Sequence, residues 1–516
     1  MIFKTSRTME KLEQRMASAE TYGEWCEAAR AHDELSGAER WKRVDQTKLY
    51  DFSQIRLRLD ELRRHRARQD DHALMFALNE GIHGNVGGMG KSPLYRPAKF
   101  GTKRLIEEYV NEIVDALEHL AQLDESVISR EEKLDFFHRA KLSYGRTALM
   151  LSGGGAWGHF HIGVVKALIE NNLLPNVISG SSAGSLVTAV IGTHTDEELE
   201  ASNHHETLVT EAKKEAKWIN KLLLGERSQI NVRDLEQMVE RLVPDLTFQE
   251  ALELTGRHIN ISVAPADLHQ TSRLLNAIAS PNVYIRTAVM ASCAVPGIYP
   301  PVMLQAKNIH GEHQPYLPTR RWVDGSVTDD LPAKRLARLY SVNFYIASLI
   351  NPIALVGKDI DDDQTPIPKA LRVFLHHGAT SLAKLAKIVS KNYTQDWPRV
   401  SLVINMFNSL LSQKYKADIN IYADFRKFDL RKILSHVSDL ELMEMERYGE
   451  LATWPHLERI RLSSKIGLAL DKILEQYGED EMRHVARKRK TKKIPTSRKA
   501  VKSKTGRPKT GRSKAA

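Results

Sequence analysis

Cysteine is nearly absent from this chain. Of 516 residues only Cys26 and Cys293 carry a thiol. They are too few and too far apart for a disulfide framework, and they offer no paired metal-ligand spacing, which suits a reducing cytosol. Long hydrophobic runs are missing too. No stretch reaches ~18 consecutive apolar residues, so no membrane-spanning helix is expected. The start, Met1-Ile2-Phe3-Lys4-Thr5-Ser6-Arg7, passes directly into the polar helical pattern Glu10-Lys11-Leu12-Glu13, so no secretory leader is expected. These absences predict a cytoplasmic protein. Hydrophobic content of 42% and charged content of 27% are those of a globular chain, with length for two or three units.

Acidic residues are missing from one region in particular. From Arg483 to the end there are fifteen Lys and Arg and no Asp or Glu; without that tail the formal charge of +11 becomes −4. The tail also has few apolar residues, which predicts disorder over 483–516. Its charge is suited to polyanions, either anionic lipid headgroups or nucleic acid, with strong salt dependence.

What remains divides by periodicity. Residues 1–140 read as helical: Leu12, Met16 and Ala19, then Trp25, Ala28 and Ala29, recur near the 3.6-residue spacing. An arginine-rich helix is predicted over 54–68, on a stripe of Ile55, Leu59 and Leu62. A glycine-rich break follows over 81–90, then a helix over 102–123 carrying Leu105, Tyr109, Val110, Ile113, Leu117 and Leu120. This module shows no catalytic chemistry and reads as a packing or docking domain. Over 146–351, short apolar runs such as 259–264 and 344–349 alternate with helical patterns at 234–242 and 331–339. That alternation predicts a largely parallel sheet covered by helices, with its active site outside the carboxyl ends of the strands. Residues 352–482 read as a mostly helical extension. Its basic amphipathic pattern over 366–412 fits a helix on a soluble core better than one on a membrane surface.

Two glycine-rich turns concentrate the chemistry, each after an apolar run that reads as a buried strand. Gly180-Ser181-Ser182-Ala183-Gly184 is a G-x-S-x-G, which marks a serine on a tight strand-to-helix elbow, with Gly180 and Gly184 supplying the room. Ser152-Gly153-Gly154-Gly155-Ala156-Trp157-Gly158 admits three readings. No Lys-Ser or Lys-Thr follows, so it fails as a phosphate loop. Gly153, Gly155 and Gly158 fit a dinucleotide fingerprint, but no acidic residue over 173–178 is placed to hold a ribose. The third reading is favoured: the amides of Gly153, Gly154, Gly155 and Ala156 form an oxyanion hole, whose donors are each worth ~3–4 kcal/mol to a transition state. A nucleophilic Ser182 needs a base. Asp324 stands out in Trp322-Val323-Asp324-Gly325-Ser326, between a strand-like run and a flexible turn.

Ser-Gly-Gly-Gly-Ala-Trp-Gly, Gly-Ser-Ser-Ala-Gly, Ala291-Ser292-Cys293-Ala294-Val295-Pro296-Gly297 and Trp-Val-Asp-Gly-Ser follow the order found in patatin-like phospholipases, and the chain resembles that family over 146–350. Residues 9–140, with Thr21-Tyr22-Gly23-Glu24-Trp25 and Lys48-Leu49-Tyr50-Asp51, resemble the helical domain preceding the patatin core in yeast and plant storage-oil triacylglycerol lipases. Ala452-Thr453-Trp454-Pro455 is similar to the same branch. The resemblance implies a three-layer α/β/α hydrolase core and a Ser182–Asp324 dyad without histidine, with Gly158, Gly325 and Ser326 supporting the turns. It implies hydrolysis of fatty-acyl esters of glycerolipids, triacylglycerol or phospholipid, through an acyl-enzyme and without metal or cofactor. Many patatins read Asp-Gly-Gly or Asp-Gly-Ala; Asp-Gly-Ser is read as a branch feature, because Ser326 is still small. His376, His377 and His436, which follow Asp324, leave a Ser–Asp–His triad as the alternative base arrangement, while His159 and His161 read as helix-start residues near the site. With 20 histidines in the chain, chance placement is the simpler account. Two further alternatives are acyl transfer to an acceptor other than water at the same site, and a polyanion-binding scaffold whose basic tail is the main functional element.

Overall fold

The computed structural model describes residues 2–201, 232–267, 271–296, 299–326, 329–350, 417–423 and 439–491. The helical periodicity of the N-terminal region resolves into α1 (Ile2–Ser18), α2 (Tyr22–Ser36), α3 (Ala38–Arg43), α4 (Phe52–Ala67), α5 (Asp71–Gly81), α6 (Arg104–Gln122) and α7 (Arg130–Tyr144). Thr21, Asp51, Asp70 and Ser129 start α2, α4, α5 and α7 by accepting a backbone N–H three residues on, which satisfies donors that the first turn leaves open. The predicted stripe of α6 is buried in full, against Ile55, Leu59 and Leu62 of α4. Arginines on the other side of α4 reach α6 as well: Arg63 and Arg66 lie 3.4 and 2.5 Å from the carboxylate of Glu112. The break over 81–90 turns on Asn85, Gly87 and Gly88, all at positive φ.

The central sheet is mainly parallel. Strands β1 (Arg146–Leu151), β2 (Val177–Gly180), β3 (His258–Pro265), β4 (Arg273–Leu275), β7 (Trp322–Asp324), β8 (Val342–Leu349) and β9 (Ile419–Tyr422) make it up. The order is β4-β3-β2-β1-β8-β9, with β4 and β7 antiparallel to β3; β5 (Gln305–Lys307) and β6 (His313–Pro315) form a separate hairpin. Strand residues point alternately to two faces, and both faces are covered. Leu149, Leu151, Ile178 and Ile346 pack under α8 (His159–Glu170), while Ala148, Met150, Val177 and Ala347 pack against α14 (Ala333–Tyr340). Helices α9 (Ala183–Thr193), α10 (Asp196–Ala201), α11 (Val232–Leu242), α12 (Phe248–Thr255) and α13 (Ile285–Ser292) complete this part of the chain, and all but α10 bury side chains in the cluster around β3.

Beyond 352 the described residues are mostly helical, with one strand that the expected extension did not include. That strand is β9, the parallel edge strand beside β8, in the register Ile346↔Ile419. The region also supplies α15 (Asp439–Thr453), which shares the hydrophobic cluster of α8. The last helix, α16 (Leu457–Thr491), inserts Leu462, Ile466, Leu470 and Ile473 into the core of the N-terminal helices. It continues past Arg483, where a disordered tail was expected, and residues 492–516 lie outside the described set, as does the amphipathic pattern over 366–412. No helix among the described residues is long and apolar enough to cross a membrane.

Helices α8 and α15 touch backbone to backbone. A Cβ at Gly163 would lie 1.8 Å from the carbonyl oxygen of Glu446, and one at Gly449 would lie 2.2 Å from that of Phe160. Neither residue has room for a side chain. Gly449→Val should destabilise the fold by at least ~1–3 kcal/mol through overpacking. Gly478→Ala, which meets nothing within 4 Å on α16, should be neutral or mildly stabilising. Thermal unfolding of the two variants checks the contrast.

Candidate active site

The site forms where β1, β2 and β3 end. Beyond β1, Ser152 is tied at both ends: its N–H donates to the Ser348 carbonyl and its hydroxyl accepts the Ile350 N–H. The chain then enters the glycine turn. The backbone at Gly154 lies against Ile350, whose Cγ1 would be 2.5 Å from any Cβ there, and Gly155 sits at φ +58°. A 3₁₀ turn, Gly155–Gly158, leads into α8.

Beyond β2 the chain makes the predicted elbow. Ser182 has φ 50° and ψ −122°, a sparsely populated conformation for a residue with a Cβ, and it forms the N-cap of α9. The flanking glycines are required by contact. A Cβ at Gly180 would lie 2.2 Å from the Gly184 carbonyl oxygen, and one at Gly184 would lie 2.3 Å from that of Leu151. The elbow is also held from outside. The Ser182 N–H donates to Ser292 Oγ at 3.0 Å, and the Ser292 hydroxyl donates to the Ser262 carbonyl at 2.8 Å. Ser185 Oγ donates to the Ser182 carbonyl at 2.6 Å.

Strand β7 brings in the aspartate. It pairs antiparallel with β3, with Val263 opposite Asp324, and a Cβ at Gly325 would lie 2.4 Å from the Ser262 carbonyl. Asp324 is buried, and its N–H donates to the Ala294 carbonyl. Its carboxylate accepts the Ser326 N–H at 2.8 Å and hydrogen bonds from the hydroxyls of Ser326 and Ser182. Burial pushes this carboxyl up to about 6, against the pull of those hydrogen bonds. The glycine turn closes on the pair. A Cβ at Gly153 would stand 3.0 Å from Ser326 Cβ and 3.3 Å from Ser182 Cβ, and one at Gly158 would stand 3.2 Å from Ala183 Cβ.

The four amides expected to face an oxyanion divide. The Gly153 N–H is engaged, donating to Asp330 Oδ1 at 2.8 Å, so Gly153 seats the turn and does not add a donor. The N–H groups of Gly154 and Gly155 have no acceptor among the described residues, and Ala156 follows in the 3₁₀ turn. Asp330 and Ser292 are the members that motif reading missed. Asp330 is buried, and its carbonyl also accepts the Ser181 hydroxyl at 3.3 Å, so one residue braces both turns. Its Asp-Leu-Pro context resembles an ordinary helix entry. Ser292 lay within a recognised motif that assigned it no role.

The two histidines that follow the glycine turn are placed. His161 is fully buried: Nε2 donates to the Ser152 carbonyl at 2.9 Å, and Nδ1 accepts from Ser348 Oγ at 2.7 Å. Burial pushes it down to about 4, so it stays neutral and ties β1 to β8. His159 is buried at the start of α8. His376, His377 and His436 lie outside the described residues.

A serine on a strained elbow, bonded to a buried carboxylate beside unoccupied backbone donors, has the parts needed for acyl transfer through a covalent intermediate. Fold and site together define an α/β protein with a serine elbow at the ends of its parallel strands. Two family models match the chain: one described as a domain of unknown function (DUF3336) over residues 2–142, the other as patatin-like phospholipase over residues 149–337. Triacylglycerol lipase SDP1L of Arabidopsis thaliana is 33% identical, over 89% of this chain and 58% of that protein. Triacylglycerol lipase 4 of Saccharomyces cerevisiae is 34% identical, over 88% and 52%. Triacylglycerol lipase ptl2 of Schizosaccharomyces pombe is 31% identical, over 90% and 75%. The chain belongs to the patatin-like phospholipase family. It spans little more than half the length of the first two of these relatives.

If Asp330 orients the glycine turn, Asp330→Ala should slow fluorophosphonate labelling of Ser182 by roughly 10- to 100-fold, the range for a misaligned oxyanion donor. Asp330→Asn, which keeps an acceptor oxygen for Gly153, should label much faster than Asp330→Ala. Labelling rates of folded variants, checked by circular dichroism, decide between orientation and mere filling of space.

Proposed function

We propose that this chain is a serine lipid acyl hydrolase that cleaves fatty-acyl esters of glycerolipids with a Ser182–Asp324 dyad. The observation that carries the reading is the placing of Ser182, on its strained elbow, beside the buried Asp324 carboxylate, whose charged form the serine side chain favours. Family membership and the activity named for these relatives support the lipid ester as substrate. Ser182 Oγ attacks the ester carbonyl while Asp324 takes its proton, and the Gly154 and Gly155 amides hold the oxyanion. Asp324 returns the proton to the departing alcohol, leaving the acyl group on Ser182. It then deprotonates water, which attacks the acyl-enzyme and releases the fatty acid. Triacylglycerol and phospholipid both fit this chemistry, as does acyl transfer to another alcohol. Work at a membrane or lipid-droplet surface follows from the substrate, since such lipids do not disperse in water.

Ser182→Ala and Asp324→Asn should each remove ester hydrolysis in a matched panel of triacylglycerol and phospholipid while the protein stays folded. Full turnover in the Asp324 variant would sink the dyad. Because Asp324 must be ionised to act, kcat/KM should be level above about pH 6 and fall about tenfold per unit below it. Stability should run the other way. A carboxyl whose folded value, about 6, exceeds its ordinary 3.8 favours the fold below pH 3.8 and loses that contribution as pH rises through 6. Asp324→Asn should therefore be more stable than the parent at pH 8, by up to ~3 kcal/mol, and nearly equal at pH 4. Urea titrations at the two pH values measure this.

The basic run from Arg483 supports a second role, attachment to an anionic surface. Removing residues 483–516 should leave ester hydrolysis of a dispersed substrate intact and abolish binding to anionic vesicles at low salt. Loss of DNA binding alone, with vesicle binding retained, would assign the tail to nucleic acid.

A further inference from the structure

A cleft of about 760 Å³ opens on the seam between the N-terminal helices and the returning C-terminal elements, and its lining includes no residue of the dyad, the elbow or the glycine turn. The lining divides by chemistry. Met16, Trp25, Ala98, Tyr448, Leu451 and Ala452 form an apolar and aromatic wall, and Arg96, Lys99 and Arg459 supply three cations. The one carboxylate that joins them is Glu13, which pairs with Lys99 at 3.2 Å.

Arg459 is the member that needs explaining. It is 7% exposed. Nη1 donates to the Asp418 carbonyl at 2.8 Å and Nη2 to the Gly90 carbonyl at 2.9 Å, while the buried Nε has no partner. The side chain forms no ion pair among the described residues. The nearby Asp418 carboxylate accepts the Tyr345 N–H instead. The rings of Tyr95 and Phe344 flank the guanidinium at 5.4 and 5.9 Å. Two carbonyl dipoles leave donors of a five-donor group unused, and the Asp418 carboxylate attracts the guanidinium without meeting it in an ion pair, although a buried charge is ordinarily paired in contact. Burial and Arg96 hold this guanidinium below its ordinary value, so an anion arriving here would relieve the penalty.

We propose that this cleft binds a single-chain anionic lipid, with its carboxylate or phosphate head on Arg459, Arg96 and Lys99 and its acyl chain along the Trp25–Leu451 wall. A bare inorganic anion would leave the aromatic wall wet, and a neutral lipid would leave Arg459 without a contact ion pair. The volume lies in the range of sites that enclose a ligand of this size. The proposal rests on the cleft and does not depend on the catalytic reading.

The test is photolabelling of the full chain with an alkynyl diazirine palmitate, followed by peptide mapping. Label is expected on peptides covering 92–99 and 448–459. Excess palmitate or 1-palmitoyl lysophosphatidate should displace it, and whichever displaces better identifies the head group. Methyl palmitate and inorganic phosphate alone should not. Arg459→Gln should cut this labelling at least tenfold. Because Arg459 also braces the backbone at Asp418 and Gly90, the double variant Arg96→Gln, Lys99→Gln, altered only at exposed positions, should cut it several-fold in a protein with unchanged melting temperature. Label confined to peptides around Ser182 would overturn the proposal. So would equal displacement by methyl palmitate, displacement by inorganic phosphate, or labelling indifferent to both sets of substitutions.

Discussion

Asp324 is a carboxylate buried with hydrogen bonds, and no cation among the described residues, opposing the cost of its charge. Much of the surrounding geometry follows from having to supply them. Strand β7 runs back along β3 so that Asp324 lies opposite Val263, and Gly325 must then rest on the Ser262 carbonyl, where only glycine fits. The Ser182 hydroxyl reaches the carboxylate from an elbow at φ 50°, a conformation that costs on the order of 1–3 kcal/mol and persists only when neighbours hold it. Ser292, Ser185 and the paired glycines do that holding. The residual imbalance is what leaves the Asp324 carboxyl near 6, suited to taking and returning a proton.

The elbow's neighbours in turn depend on chain that arrives much later. Helix α8 begins immediately after the glycine turn, so whatever positions α8 positions the turn. One such element is α15, which reaches α8 through the Gly163–Gly449 crossing. Lys166 adds an ion pair to Glu450 at 2.6 Å, of modest value because the lysine is half exposed. Helix α16 then leaves α15 and closes the N-terminal helical core. The patatin core and the helices before it are thus bound together by the last part of the chain, and the cationic cleft lies along that seam.

Legibility in the sequence followed the range of the physics involved. The α6 stripe and the two strands 259–264 and 344–349 were readable because burial on a helix or strand repeats with a fixed period. The elbow was readable because its small residues answer a steric demand within five positions. By contrast, the Gly153–Asp330 bond joins residues 177 apart and the Ser182–Ser292 bond joins residues 110 apart. Such contacts leave no period and no local composition. The edge strand Ile419–Tyr422 was hidden for a related reason: four residues of strand are too short to stand out within a helical pattern.

By itself, then, the sequence determined the two turns, the serine elbow at Ser182 and the helical character of the first 140 residues, because each is set by sterics or periodicity among near neighbours. Tertiary structure alone decided which amides of the glycine turn remain without an acceptor among the described residues, and it removed Gly153 from that set by giving its N–H to Asp330. It also decided that His161 is a neutral strut and that Arg459 is buried with no contact ion pair among the described residues. Hydrogen-bond partners and burial belong to the packed chain, since both are fixed by residues that meet only when the chain has folded.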